Sequence, residues 1–330
     1  MTLNQEDSFV IYRKPFEKKI NLIQGQWICE DQLTNSSNKS FVFTTFNGKL
    51  FKISGKNKFV TNSILITNNK TNQNYSTGFS SYCKSVQIAL DFIQNGLFDK
   101  IIISRIIKHK HNIENLYKLF NAYAKKYDHG LVYMLNHPYE GLWVGVSPEL
   151  LISNNKTNFY KTESLAGSQK WKKNIKWNQK EIDEQDYVSK HIIKCINKHG
   201  KLLSKSELRT KKAGNLAHLN TLFNFNINNN INHFLNELHP TPAIAGTPRE
   251  IVLTKIKEIE DHNRELYCGY IGELDNNKTE LYVNLRCAKV YKNSLNLYVG
   301  GGITNKSEID KEYEETEIKS QTLLSVIKNL

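Results

Sequence analysis

"LYCGYIGELDNNKTELYVNLRCAKVYKNSLNLYVGGGI" (Leu266–Ile303) decides the fold class. Leu266–Leu274, Glu280–Val290 and Leu295–Ile303 are three strand-like runs, rich in β-branched and aromatic residues, at hairpin spacing. A helix over about Arg249–Glu260 precedes them, and a last helix over about Ser307–Ile327 closes the chain. Further upstream, "YCKSVQIALDFIQNGLFD" places Val86, Leu90, Ile93 and Leu97 on one helical face, with Gly96 near its end. "KIIISRI" reads as a buried strand, "IENLYKLFNAYAKKY" as a helix, and "GLVYMLN" and "GLWVGV" as strands. "WNQKEIDEQDYVSKHIIKCINKHG" is a long helix. The first eighty residues carry short strands and polar turns: "SFVIYR", "QWICE", "SFVFTTF", "KLFKISG" and "NSILITN". Strands and helices without strict βα alternation imply an α+β protein with a large, mainly antiparallel sheet. No Pro/Ser-rich linker divides the chain, so residues 1–330 read as one domain. Residues 1–80 join the main sheet, 81–330 form the core, and Asn68–Gly78 is the best loop candidate.

Composition narrows the partners. Hydrophobic residues are 39% and charged residues 23%, as in an ordinary soluble protein. The formal charge of +13 raises the question of nucleic acid. Yet the lysines are dispersed and asparagine is abundant beside them, as in "FNFNINNNINHF"; AT-rich codon usage would produce both. No nucleic-acid partner is expected, and the charge favours a small anion only weakly. The start lacks an apolar signal region, and no run approaches a membrane span. Five scattered cysteines, never spaced as CxxC, argue against a disulfide framework or a zinc site. A cytoplasmic protein without a membrane partner is the expectation.

Several residue groups could carry chemistry. In "ELHPTPAIAGTPRE" (Glu237–Glu250), three of the chain's six prolines flank an Ala-Ile-Ala-Gly run. This reads as a tight turn or as a backbone-lined pocket wall. Lys100 opens the apolar strand; it either snorkels outward or faces a dry pocket as a base. Glu149 follows a strand directly. The glycines of "NLYVGGGI" serve a turn or bind an anion through backbone N–H groups. Arg286 lies in a strand-like run and needs a partner, for which a carboxylate ligand is suitable. His218 could be core, pocket or exposed. Glu181 with Glu184, and Glu312 with Glu315, are three apart on two acidic helices. Such faces are either solvated or, if they meet, a hard-oxygen site for Mg²⁺.

The order of "DKIIISR", "GVSPELL", "SLAGS", "KEIDEQ", "AHLNT", "LHPTPAIAGTPRE", "RELYCGYIGE", "LRCAKV", "LYVGGGI" and "EYEETEIK" resembles the chorismate-utilising enzymes, from about residue 80 onward. The branch it looks most like is isochorismate synthase. The resemblance implies a two-layer sheet core flanked by helices, chorismate as substrate, Mg²⁺ as cofactor and no glutaminase subunit. It implies Lys100 as the base that activates water and Glu149 as the acid that protonates the leaving hydroxyl. Glu184 and Glu315 would hold the metal, with Glu312 in support; Gln185 replaces a histidine often found beside the first of these. Gly167 and Ser168 would form a substrate-binding turn, His218 would line the pocket, and Ala243 and Ile244 would line the ring. Arg286 and the backbone at Gly300 would grip the pyruvyl carboxylate. Lysine at position 100 is unlike the glutamine usual in anthranilate synthases, and Ala166 replaces the nucleophilic lysine of aminodeoxychorismate synthases. The His239–Ala243 opening is typical of isochorismate synthases, with salicylate synthase the alternative. Menaquinone synthesis is the expected destination, siderophore synthesis the other.

Overall fold

The computed structural model describes residues 1–34, 38–71, 75–156, 158–213, 216–228, 230–275, 278–328 and 330. The chain begins with β1 (Thr2–Leu3), β2 (Phe9–Arg13), β3 (Asn21–Glu30), β4 (Ser40–Thr44), β5 (Leu50–Phe59) and β6 (Leu65–Ile66). There follow α1 (Phe79–Gln94), β7 (Lys100–Lys110), α2 (Leu116–Lys126), β8 (Leu131–His137), β9 (Gly141–Ser147), β10 (Leu150–Lys156) and β11 (Phe159–Lys170). The middle holds α3 (Gln179–His199), β12 (Gly200–Lys205), β13 (Arg209–Ala213), β14 (Leu216–Ile227) and α4 (Ile231–Leu238). The last part is β15 (Gly246–Thr247), α5 (Arg249–Ile259), β16 (Tyr270–Asp275), β17 (Lys278–Val283), β18 (Cys287–Val290), β19 (Ser294–Thr304) and α6 (Ile309–Ile327).

Among the described residues, seventeen strands form one sheet. Its pairings trace a path β14–β11–β10–β17–β16–β4–β5–β3–β2–β8–β9–β18–β19–β7–β15, with β12 and β13 added on β14, and every pairing is antiparallel. The amino-terminal strands sit in the middle of this path: β2 pairs with β8, and β4 with β16. Only "NSILITN" departs from that expectation. Its β6 pairs in parallel with β1 as a separate two-stranded sheet.

The apolar spacing places each helix. Val86, Leu90 and Ile93 of α1 pack with Ile101, Ile103 and Ile303, and with Val252 and Ile256 of α5. These helices cover the face of β7 that carries Ile101 and Ile103, while Lys100 and Ile102 face the other way and line a cavity. Helices α2 and α6 share a second core with Val132, Val144 and Leu297. Val188, Ile192 and Ile196 of α3 join a third with Phe223, Phe225 and Phe234.

Three expectations need correction. Glu280–Val290 is two strands: β17 runs to β10 and β18 to β9, and Arg286 stands between them with φ +50°. The chain must swing there because its neighbours diverge. The substrate-binding turn at Gly167 and Ser168 is a β-bulge inside β11, where the register against β14 shifts between Ala166 and Ser168. Gly300–Gly302 lie inside β19, paired with Ser104, Ile103 and Ile102, and do not follow a strand. Helix α4 has no counterpart in the expectation. Its asparagine-rich start conceals a working cap, in which the Asn230 side chain accepts from the Asn232 N–H at 2.9 Å.

Candidate active site

The two ends of the sheet path enclose a cavity of about 720 Å³ including its open mouth. Strands β7 and β19 supply Lys100 and Gly300–Gly302, and β11 and β14 supply Leu165–Ser168 and His218. Helix α3 adds Glu184, and α6 adds Glu315 and Lys319. Glu149, Ala243, Ile244 and Arg286 arrive from connecting segments. Of the twelve residues singled out in the sequence, eleven line this cavity. Glu312 instead lines an adjoining one with Lys180 and Glu315.

Lys100 does not snorkel; it is 1% exposed. Its strand is clamped on one edge by β19 and on the other by Gly246–Thr247. A Cβ at Gly246 would collide with the Lys100 carbonyl, so this close approach requires glycine. The proline-rich segment is therefore a wall. Arg264 fixes it, donating to the Ile244 carbonyl at 2.9 Å and to the Ile102 carbonyl at 2.7 Å while paired with Glu260. On the other side, a Cβ at Gly302 would lie 3.0 Å from Lys100 Cε and 3.2 Å from Glu184 Oε2. The glycines make room for these side chains.

Burial pushes the Lys100 ammonium below its ordinary pKa; Glu184 opposes this, and Lys319 and Lys180 add to it. Lys100 Nζ lies 3.6 Å from Glu184 Oε2. Burial, then repulsion from Glu163, pushes the Glu149 carboxyl up to about 8. The cavity thus pairs a lysine biased toward its neutral form with a carboxyl biased toward its protonated form.

Arg286 is buried, and among the described residues no carboxylate lies within ion-pair distance of it. Its Nη1 donates to Thr322 Oγ1 at 2.9 Å, and Nη2 lies 3.4 Å from His218 Nε2. His218 Nδ1 lies 2.9 Å from the Gly167 carbonyl, which can only accept. The proton therefore sits on Nδ1, and Nε2 is left to accept from the guanidinium. Burial, then Arg286, lowers the His218 pKa to about 3, so the ring is neutral. The bulge at Gly167 orients the histidine, and the histidine orients the arginine.

Glu184, Glu312 and Glu315 meet around two lysines. Lys180 Nζ lies 3.7 Å from Glu184 Oε1 and bonds Glu312 Oε1; Lys319 bonds Glu315 at 2.6 Å and the Gly300 carbonyl at 2.8 Å. Glu312 is 1% exposed, and its Oε2 has no hydrogen-bond partner. Among the described residues the three carboxylates do not form a ready-made metal-ligand cluster; the buried, unpartnered Glu312 oxygen is the feature that suits a hard cation such as Mg²⁺. Glu181 takes another role, accepting from the Asn178 N–H at 3.0 Å to cap α3. Lys319, Lys180, Arg264 and Tyr267 are site residues that sequence reasoning missed. Lys319 and Lys180 left a signal: Lys319 lies four residues after Glu315, and Lys180 four residues before Glu184, each on its own helical face.

Among the described residues, no helix is long and apolar enough to cross a membrane. The chain is 26% identical over 260 residues to the vibriobactin-specific isochorismate synthase of Vibrio cholerae, covering 74% of this chain and 66% of that protein. It is 31% identical over 202 residues to isochorismate synthase EntC of Escherichia coli, covering 56% and 51%. These matches span between half and two thirds of those relatives' length. Among solved structures, the menaquinone-specific isochorismate synthase MenF of Escherichia coli superposes with a TM-score of 0.80 at 18% identity, over 97% of this chain and 88% of that one. Anthranilate synthase component I of Streptococcus pneumoniae superposes at 0.71 with 15% identity, over 96% and 92%. The fold is thus that of these enzymes, a large antiparallel sheet flanked by helices. A family profile described as "Chorismate binding enzyme" matches residues 33–328, and the chain belongs to that family.

Proposed function

We propose that the protein is an isochorismate synthase, converting chorismate to isochorismate. The observation that carries this is the presence of Lys100 and Glu149, both buried, in one cavity of about 720 Å³ with opposite protonation biases. Water adds at C2 as the ring double bonds shift and the C4 hydroxyl leaves. Neutral Lys100 takes a proton from the attacking water, and protonated Glu149 gives one to the departing oxygen, so water is both consumed and released. Arg286, lacking an internal carboxylate, binds the pyruvyl carboxylate, with His218 fixing its orientation. Ala243 and Ile244 pack against the ring. Glu184 and Glu315, with Glu312, would hold Mg²⁺, which when bound neutralises the ring carboxylate. Ala166 offers no amine to form a covalent adduct, and the reaction needs no ammonia, hence no glutaminase subunit. Menaquinone synthesis is the expected consumer; relatives named for menaquinone and for vibriobactin match alike.

Incubating pure protein with chorismate and Mg²⁺ and separating the products by chromatography tests the reading. Isochorismate is expected, formed reversibly, with no incorporation of ammonium. Salicylate as main product would move the protein to the sibling branch, and an aminated product would contradict water activation. The pH profile gives a second check. Glu149 must be protonated to act as acid, and burial with Glu163 pushes its carboxyl up to about 8. Turnover should therefore decline as pH rises through about 8, while an undiminished rate a full unit higher would assign the acid elsewhere.

A further inference from the structure

Glu149 has a buried acidic neighbour that no substrate contact explains. Glu163 on β11 is 5% exposed, and both of its oxygens are occupied. Oε1 accepts from the Leu150 N–H at 2.9 Å and from Lys211 Nζ at 2.8 Å. Oε2 accepts from Lys211 Nζ at 2.7 Å and from Asn220 Nδ2 at 2.8 Å. Leu150 is the residue after Glu149, and the Glu149 carbonyl accepts from the Val283 N–H at 3.0 Å. The Glu149 corner is thus pinned from both sides, by β17 and by the Glu163 carboxylate.

Neither Glu163 nor Lys211 lines the cavity, so neither touches substrate. A glutamine at 163 would accept from Leu150 equally well. What a carboxylate adds is charge beside Glu149, and Lys211 partly offsets it. The charged or titratable groups acting on Glu149 are Glu163 from β11, Lys211 from β13, Lys100 from β7 and Arg286 from the β17–β18 break; Cys268 is also coupled to it. Of these, Glu163 raises its proton affinity electrostatically, while Lys211, Arg286 and, when protonated, Lys100 lower it.

We propose that Glu163 is a positioning residue for Glu149, and that the Glu163–Lys211 pair sets how firmly Glu149 holds its proton. This rests on the reading of Glu149 as the proton donor of the reaction. Without Glu163, Lys211 and Arg286 would face Glu149 with only its burial opposing them, and it would ionise earlier. With Glu163 but no Lys211, it would hold its proton too long. The pair works as a balance, one arm in the buried strand and the other reaching in from β13.

The test is infrared difference titration of the Glu149 carboxyl stretch, using Glu149→Gln to identify the band, alongside kcat against pH. Glu163→Gln should lower the titration midpoint by on the order of one pH unit, and Lys211→Met should raise it by a similar amount. The alkaline limb of kcat should follow each shift. Lys211 is partly exposed, so its variant keeps the test alive if Glu163→Gln folds poorly. A purely structural role would lower activity in both variants without moving the midpoint in opposite directions. Unmoved midpoints, or shifts of the same sign, overturn the proposal. If the infrared midpoints move but the kcat limbs do not, the coupling stands and the assignment of Glu149 as acid fails.

Discussion

Lys100→Ala is expected to lower isochorismate formation by at least about 10²-fold, the smaller end of what general-base help contributes. An ordinary lysine has a pKa of roughly 10.4 and is a poor base at neutral pH. Lys100 differs because burial drives its ammonium toward the neutral form. Chorismate should still bind to the alanine variant, since Arg286 lies on another segment and keeps Thr322 and His218 as partners. The fold should survive, because Glu184 retains Lys180 at 3.7 Å when Lys100 is gone. Lys100→Arg should be nearly as inactive. A guanidinium stays protonated and cannot take a proton from water. It would also have to fit where Cε already lies close to Gly302. Turnover and chorismate affinity measured separately distinguish the cases. Wild-type turnover in the arginine variant would reduce Lys100 to a positive charge holding the pocket.

The main elements were legible because each carried a period. The face of α1, the isoleucine run of β7 and the ends of the strand region after Leu266 follow directly from apolar spacing. What was not legible depends on partners remote in sequence. Strand β17 turns toward β10 while β18 turns toward β9, and nothing local in "LYVNLRCAKV" announces that parting. Register is set by the neighbouring strand, so the bulge at Gly167 reads as a turn until β14 is placed beside it. Helix α4 is marked by a cap and by Phe234, Leu235 and Leu238, but its asparagines are weak helix formers and hide the signal.

The residues that line the cavity were picked out for a different reason. Lys100, Glu149 and Arg286 gain meaning only from the order of motifs around them, since each has an ordinary reading alone. The supporting residues were invisible because they act through backbone or through charge at a distance. Arg264 holds two carbonyls, and Glu163 holds an N–H and a lysine. A carbonyl or an N–H exists at almost every position, so no residue type marks the partner in advance.

Chelation should abolish turnover, and added Mg²⁺ should restore it, with Glu184→Ala and Glu315→Ala each losing at least about 10²-fold. The argument begins with charge. Glu184, Glu312 and Glu315 crowd one region, and burial followed by Glu315 raises the Glu312 carboxyl. Glu315 itself is held below its ordinary range, because Lys319 and Lys180 outweigh its burial. Lys180 bonds only one Glu312 oxygen, and the other, Oε2, is buried without a partner. A buried unsatisfied carboxylate oxygen is costly, and a hard cation relieves that cost. Mg²⁺ should therefore raise the thermal midpoint of the wild-type protein even without chorismate, since a ligand of the folded state stabilises it by mass action. Glu315→Ala should remove most of that rise, because it deletes one of the carboxylates that would hold the ion. Its fold should persist, as Lys319 keeps the Gly300 carbonyl at 2.8 Å. Thermal shift with and without Mg²⁺ separates metal binding from chemistry. Full turnover in the presence of a chelator would show that the lysines alone neutralise these carboxylates and that no metal is needed.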